Sequence, residues 1–167
     1  GPLSILFKLN NGYIRQTQQL RAALEREMAI LAARKCTPLD AAELWRILSS
    51  IDKAEDEKTR GELDKELHTQ IAKIADNPMI YSVLAAADQL IENIIAGTRD
   101  YIMKKNRPEF KVDEQHRLLV EAIINNDEKG AEQYMSEHME IIEKCMDEMQ
   151  KNCNNKRPAN GIVIGGE

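Results

Sequence analysis

The chain has 167 residues, of which 43% are hydrophobic, 31% charged and 4% aromatic, and its formal net charge is −5. This composition provides a core for one domain and excludes wholesale disorder, while the acidic balance disfavours a nucleic-acid-binding surface on this stretch. The longest apolar runs fall far short of the roughly 20 residues that span a bilayer, and no secretory signal pattern opens the chain.

The first residues differ in character from the rest of the chain. Gly1-Pro2 stands where an initiator Met is expected, which is typical of a remnant left by tag cleavage. We therefore expect residues 1–11 to be this remnant and a linker, and a natural N-terminal portion to be missing.

The following residues are predicted to be helical, because apolar side chains recur at intervals of three and four. Thr37 and Pro38 have the residue types of an N-cap and a first helical position, and Asp40 follows in the first turn. The charged stretch Asp52 to Arg60 lacks an apolar stripe and predicts a loop or a solvated first turn. Six helices are predicted: residues 12–34, Pro38 to about 52, Leu63 through Ile74, 78–105, 112–126 and 128–153.

Short connections between these segments favour one all-α domain, an antiparallel bundle of six or seven helices over residues 12–153. Residues 154–167 are expected to form a flexible tail. Cys36, Cys145 and Cys153 are odd in number and lack C-x-x-C spacing, so neither a disulfide framework nor a cysteine zinc site is expected.

Each of the three histidines interrupts the apolar stripe of a different predicted helix. His68 lies on the third helix with Asp64 one turn earlier on the same face, His116 lies on the fifth helix and His138 on the sixth. All three imidazoles and one carboxylate are therefore predicted to point into the bundle. The stripes are defined by Leu67, Ile71, Ala75, Val112, Leu119, Val120, Ile123, Ala131, Tyr134, Met135, Ile142, Cys145 and Met149.

Two interpretations of these polar residues are open at this point. Imidazole nitrogens with a carboxylate oxygen form a familiar ligand set for zinc and other first-row divalent metals, and a buried Asp is costly without a partner. The alternative is an Asp64–His68 ion pair together with two unrelated polar core residues.

Further patterns accompany the histidines. Leu20-Arg-Ala-Ala-Leu-Glu25 lies in the first helix, and Leu63-Asp64-Lys-Glu-Leu-His68 precedes Asn77-Pro78. His116, Ala122, Asp127, Ala131 and His138 are spaced as H-x5-A-x4-D-x3-A-x6-H. Together these patterns resemble the FCD domain, the C-terminal effector-binding half of FadR-subfamily GntR-type bacterial transcription regulators. The resemblance covers about residues 12–150.

The resemblance implies that Asp64, His68, His116 and His138 bind a divalent metal, expected to be Zn²⁺ with Ni²⁺ or Mn²⁺ as alternatives. It also implies a small organic acid as the effector, with the metal helping to hold it. Three nitrogens and one oxygen would close a tetrahedral zinc site, whereas an ion with six coordination positions would keep two of them for water or effector oxygens.

The resemblance also implies which other residues contact the effector. Arg21 matches the family's first-helix arginine, whose guanidinium can clamp a carboxylate. Arg99 and Asn77 are further effector-binding candidates. The alternatives are an exposed Arg21 paired with Glu25, a solvated Arg99, and an Asn77 that only caps the fourth helix. Ile91, Ile94 and Ile95 on that helix favour an effector with an apolar portion.

The implied function is ligand sensing in a cytoplasmic, homodimeric transcription regulator. Operator DNA would be bound only by a winged helix-turn-helix domain, which nothing before residue 12 matches. Neither enzyme activity nor a membrane partner is expected. The rival hypotheses are a helical-bundle hydrolase that uses a metal-bound water and a metal-free helical interaction module.

Overall fold

The computed structural model describes residues 11–105 and 111–155, and these residues form seven α-helices and no strand. The helices are α1 (Asn11–Lys35), α2 (Pro38–Lys53), α3 (Glu57–Ala75), α4 (Pro78–Leu90), α5 (Glu92–Lys105), α6 (Val112–Ile124) and α7 (Glu128–Asn155). The prediction of an all-α bundle of six or seven helices is confirmed. The predicted linker over 1–11 is helical at Asn11, and the predicted tail is helical to Asn155; the rest of both segments lies outside the described residues.

Helices begin where the sequence offers capping side chains. Thr37 forms a reciprocal capping box with Asp40 and is followed by Pro38 at the start of α2, as predicted. The Asp56 side chain accepts the backbone N–H of Thr59 at the start of α3. The stretch from Asp52 to Arg60 therefore contains the last two residues of α2, a connection over residues 54–56, and the first turn of α3.

The fourth predicted helix, residues 78–105, is two helices. The chain breaks at Ile91, and the axes of the segments Pro78–Leu90 and Glu92–Ile102 differ by 74°. The apolar spacing continues through the break, so helical periodicity alone does not reveal it. The cause is tertiary: α4 packs against α1, whereas α5 packs against α7 and α3. A straight helix of this length would extend about 42 Å and could not follow both surfaces.

In the described part of the chain, no single helix has both the length and the apolar content to cross a membrane. Among the described helices, the bent pair α4 and α5 has the length and apolar composition of a membrane span only when the two helices are taken together.

The core fills the space between α1, α2, α3, α6 and α7. Its largest fully buried apolar side chains are Met28, Leu44, Ile47, Leu67, Ile71, Leu119, Ile123, Met135 and Met139. Asn126, whose φ of 54° lies in the left-handed region, donates its side-chain amide to the Ala33 and Cys36 carbonyls, at 2.8 and 3.2 Å. This contact joins the turn between α6 and α7, the helices that carry His116 and His138, to the C-terminal end of α1.

Candidate metal centre and adjoining cavity

Four polar side chains from three helices meet beside the core. Asp64 and His68 lie one turn apart on α3, His116 lies on α6 and His138 on α7. Each offers one ligand atom, and these four atoms all lie within 4.8 Å of one another. The structure thus brings together the four residues that the sequence singled out.

Asp64 Oδ1 is the oxygen that faces the imidazoles. It lies 2.9 Å from His116 Nε2 and 3.8 Å from His68 Nε2. The His138 ring centroid lies 4.8 Å from that of His116 and 5.4 Å from that of His68. The alternative of an Asp64–His68 pair with two unrelated core histidines does not describe this arrangement, since all three rings are neighbours.

The donor atoms fit a metal ion better than they fit one another. His116 and His138 are each 3% exposed, and the buried His116 Nδ1, His116 Nε2 and His138 Nδ1 have no hydrogen-bond partner among the described residues. His116 Nε2 is close to Asp64 Oδ1 but lacks the alignment of a hydrogen bond. Buried polar atoms without partners are costly, and a cation among three nitrogens and one carboxylate oxygen would satisfy donors of this kind.

Burial and neighbouring charges together determine the pKa values of Asp64, His68 and His138. Burial by itself would raise the pKa of Asp64, but His116, His68 and Arg99 together lower it well below its ordinary value. Burial would lower the pKa of His68, but the carboxylates of Glu25 and Asp64 outweigh it and raise that pKa. Burial, reinforced by His116 and His68, lowers the pKa of His138 well below its ordinary value. Asp64 is therefore ionised and His138 neutral at neutral pH, the forms that bind metal.

Two charged residues outside the four contact them directly. Arg99 on α5 forms an ion pair with Asp64 Oδ2, the oxygen that faces away from the imidazoles. Glu25 Oε2 on α1 lies 3.3 Å from His68 Nδ1. In the sequence, Glu25 ends the Leu20–Glu25 pattern of the first helix and is a possible partner of Arg21, but no pattern predicts its contact with His68. Its place on the buried stripe of Met28, Ala29 and Ala32 was the available signal that this carboxylate faces inward.

A cavity of about 560 Å³ adjoins the cluster. Arg21, Glu25, Asp64, His68, Arg99, His116 and His138 are among its lining residues. The volume is within the range of roughly 300–1,000 Å³ that is typical of small-molecule sites. The four-residue cluster is therefore open to a space that can admit a ligand.

Arg21 lies on the cavity wall and not on the outer surface. It is 5% exposed, forms an ion pair with Asp88 on α4, and donates to Gln18 Oε1 at 2.6 Å. The alternative of an exposed Arg21 paired with Glu25 is therefore wrong. Because an ion pair across α1 and α4 needs a tertiary contact, helical spacing within α1 could not reveal it.

The two other effector candidates are placed differently from each other. Arg99 lines the cavity beside Asp64. The Asn77 side chain accepts the backbone N–H of Ile80 at 3.1 Å and caps α4, and Asn77 is not among the cavity-lining residues. The structure thus brings Arg21 and Arg99 to the cavity with the four-residue cluster, and gives Asn77 a capping contact away from it.

Apolar side chains line part of the same cavity. Ile95, Thr98, Arg99 and Ile102 share one face of α5, so isoleucines lie one turn on either side of the arginine. Ile142 lies one turn beyond His138 on α7. Of the three isoleucines that the sequence suggested, Ile95 lines the cavity, whereas Ile91 is buried at the bend and Ile94 is not a lining residue.

Comparison with known proteins shows which family this chain matches. The family model described as the FCD domain matches residues 16–141. The chain is 28% identical over 145 residues to an uncharacterized HTH-type transcriptional regulator, YcbG, of Bacillus subtilis (strain 168); the alignment covers 84% of this chain and 58% of that protein. It is 22% identical over 145 residues to a putative L-lactate dehydrogenase operon regulatory protein of Escherichia coli (strain K12), over 87% of this chain and 56% of that protein.

A protein of the same name from Shigella flexneri gives the same identity and coverage. The chain therefore spans somewhat less than three fifths of the length of these relatives, 58% and 56%.

Proposed function

Because this chain belongs to the FCD domain family of transcription regulators, and not to a family of enzymes, we propose that it senses a small organic acid through a divalent metal. The ligands are Asp64, His68, His116 and His138. The observation that carries the proposal is the convergence of their ligand atoms to within 4.8 Å of one another on the wall of a cavity.

We expect Zn²⁺ as the metal, with Ni²⁺ and Mn²⁺ as alternatives, because three imidazoles and one carboxylate suit all three ions. When bound, the metal supplies a Lewis-acid site for carboxylate or hydroxyl oxygens of the effector. Arg99 holds Asp64 Oδ2 and so leaves Oδ1 directed toward the imidazoles.

The cavity also suggests the class of acid. Arg21 and Arg99 provide cationic groups for a carboxylate, while Ile95, Ile102 and Ile142 provide apolar wall beside the cluster. We therefore propose a carboxylic acid with an apolar portion. Two of the relatives are named for an L-lactate dehydrogenase operon, so 2-hydroxy acids of increasing chain length are the first series to test.

The response to the acid is proposed to be a shift in helix packing. An acid that contacts Arg21, Arg99 and the metal ligands would connect α1, α5 and the three helices of the centre. The relatives are HTH-type or operon regulators of which this chain covers little more than half. We propose that the change reorients winged-helix domains that bind operator DNA, within a homodimer.

The test combines metal analysis with thermal melting. Protein purified without chelator should contain about one equivalent of metal, and EDTA should lower its melting temperature because a ligand of the folded state is removed. Absence of metal together with an unchanged melting temperature in EDTA would contradict the proposal. In the zinc-loaded protein, a sensor should gain thermal stability from an acid without consuming it, whereas turnover would contradict the assignment.

A further inference from the structure

Glu25 is a deeply buried carboxylate that belongs to neither the apolar core nor the four-residue metal cluster. It lies on α1, is 3% exposed and faces the cavity. Arg21, one turn earlier on the same helix, is paired with Asp88 and Gln18. The contact that the structure gives to the Glu25 carboxylate is His68 Nδ1, at 3.3 Å. A charge buried so deeply is retained only where a specific partner compensates for the lost hydration.

The two nitrogens of His68 face different neighbours. Nδ1 lies 3.3 Å from Glu25 Oε2, and Nε2 lies 3.8 Å from Asp64 Oδ1, a member of the four-residue cluster. A neutral imidazole carries its proton on one nitrogen and a lone pair on the other. A carboxylate that accepts the Nδ1 proton therefore leaves the Nε2 lone pair directed at the cluster.

We propose that Glu25 is a positioning residue of the metal centre: it accepts the Nδ1–H of His68 and so fixes the tautomer and the ring orientation that present Nε2 to the ion. This inference rests on the proposed metal site. Carboxylates hydrogen-bonded to the second nitrogen of a ligating histidine commonly set metal affinity, and their loss costs about 10–100-fold.

Through Glu25, α1 becomes part of the metal centre although it supplies no ligand. Glu25 connects α1 to His68 on α3, and Arg21 connects the same helix to Asp88 on α4. Both side chains line the cavity. Occupation of the centre is therefore linked to the position of α1 through a hydrogen bond at the metal ligand itself.

The experiment measures zinc affinity by competition with a chromophoric chelator, in E25L, E25Q and the control T17V. We expect E25L to lose about 10–100-fold in affinity. E25Q should lose less, because its amide oxygen can accept the same proton. Thr17 is a matched control, since it is also buried on α1 (4% exposed), donates to the Tyr13 carbonyl and does not line the cavity. T17V should bind zinc within about twofold of the wild type.

A second measurement needs no variant. Nitrogen-15 NMR of histidine-labelled, zinc-loaded wild type should show His68 protonated at Nδ1 and coordinated through Nε2, a signature that a purely structural role of Glu25 would not require. Coordination through Nδ1, or a folded E25L that binds zinc as tightly as the wild type, would overturn the inference and leave the metal site intact. If E25L does not fold, the zinc affinity of E25Q and the tautomer of His68 in the wild type test the inference. A wild type that binds no zinc would contradict the proposed function itself.

Discussion

His138 is a buried polar residue, and core packing alone does not explain why a polar side chain lies at this position. It lies on α7 at 3% exposure, its Nδ1 has no hydrogen-bond partner among the described residues, and burial together with two neighbouring imidazoles lowers its pKa well below the ordinary value. A buried polar atom without a partner destabilises a fold by about 1–3 kcal/mol. This side chain is therefore a cost to the metal-free protein that metal binding would offset.

Replacement of His138 should separate function from stability. We expect H138L to melt at or a few degrees above the metal-free wild type, because each kcal/mol shifts the midpoint of a domain of this size by about 2–4 °C. Zinc should raise the midpoint of the wild type and leave that of H138L unchanged. Differential scanning calorimetry with EDTA and with zinc measures both effects.

Gln133→Leu, at an exposed position on the same helix, is the matched control and should keep the zinc response. An H138L protein that still gains stability from zinc would show that His138 is not a ligand.

His68 predicts a pH dependence of metal binding. Burial lowers its pKa, but Glu25 and Asp64 outweigh burial and raise it above the ordinary value. At a pH at or below that pKa, His68 carries a second ring proton, which has to leave before zinc binds. Zinc affinity therefore falls as the pH falls through the pKa of His68. Titration calorimetry in buffers of different ionisation enthalpy should find more proton release per zinc near pH 6 than near pH 8. Equal release at the two pH values would contradict this prediction.

At the scale of elements, the cavity depends on contacts between helices that are distant in sequence. The ion pair of Arg21 with Asp88 joins α1 to α4, and that of Arg60 with Asp113 joins α3 to α6 at 3.2 Å, with both residues on the cavity wall. The bend at Ile91 lets α4 pack on α1 while α5 brings Arg99 to Asp64. The arginines that face the cavity are thus positioned by helix packing.

Removal of the Arg21 charge should weaken acid binding and spare metal binding. We expect R21M to lose more than tenfold in affinity for the acid that stabilises the wild type best, since a hydrogen bond to a charged group contributes about 1.5–3 kcal/mol. Zinc affinity should change little, because Arg21 is not a ligand. Titration of the zinc-loaded proteins measures the first effect, and chelator competition measures the second.

Arg34→Met is the control on the same helix, since Arg34 is exposed and pairs with Glu128. It should leave both affinities unchanged. Acid binding by R21M as tight as that of the wild type would remove Arg21 from the effector site.

At the scale of the whole molecule, α4 presents an apolar stripe to the outside. Met79, Val83 and Leu90 are 75%, 44% and 39% exposed. At the helical repeat they lie within about 40° of one another around the axis. Exposed apolar residues that share a face mark interaction surfaces more often than scattered ones do. This stripe is the surface on which we place the proposed homodimer contact.

A charge in this stripe should therefore dissociate the dimer. We expect V83D to be monomeric by light scattering at concentrations where the wild type is dimeric, with an unchanged zinc affinity, since Val83 is exposed and lies outside the cavity. L39D is the control, because Leu39 is an exposed apolar residue of α2, at 81% exposure. Identical association states for V83D and the wild type would exclude this surface.

Features that depend on neighbours along the chain follow from the sequence alone. The spacing of apolar residues predicts the helical segments apart from the break at Ile91, and Thr37 and Asn77 predict two helix starts. The stripes of three helices predict that His68, His116 and His138 face inward. These inferences succeed because one helical turn fixes which side chains share a face.

Which of the inward-facing residues meet depends on how the helices pack. Glu25 contacts His68 across 43 positions, and Arg21 contacts Asp88 across 67, so helix packing selected these partners. The bend at Ile91 was equally invisible in the sequence, because the apolar periodicity runs through it while packing on two different surfaces requires it. Local periodicity specifies the direction of a side chain, whereas the partner it reaches depends on where the other helices lie.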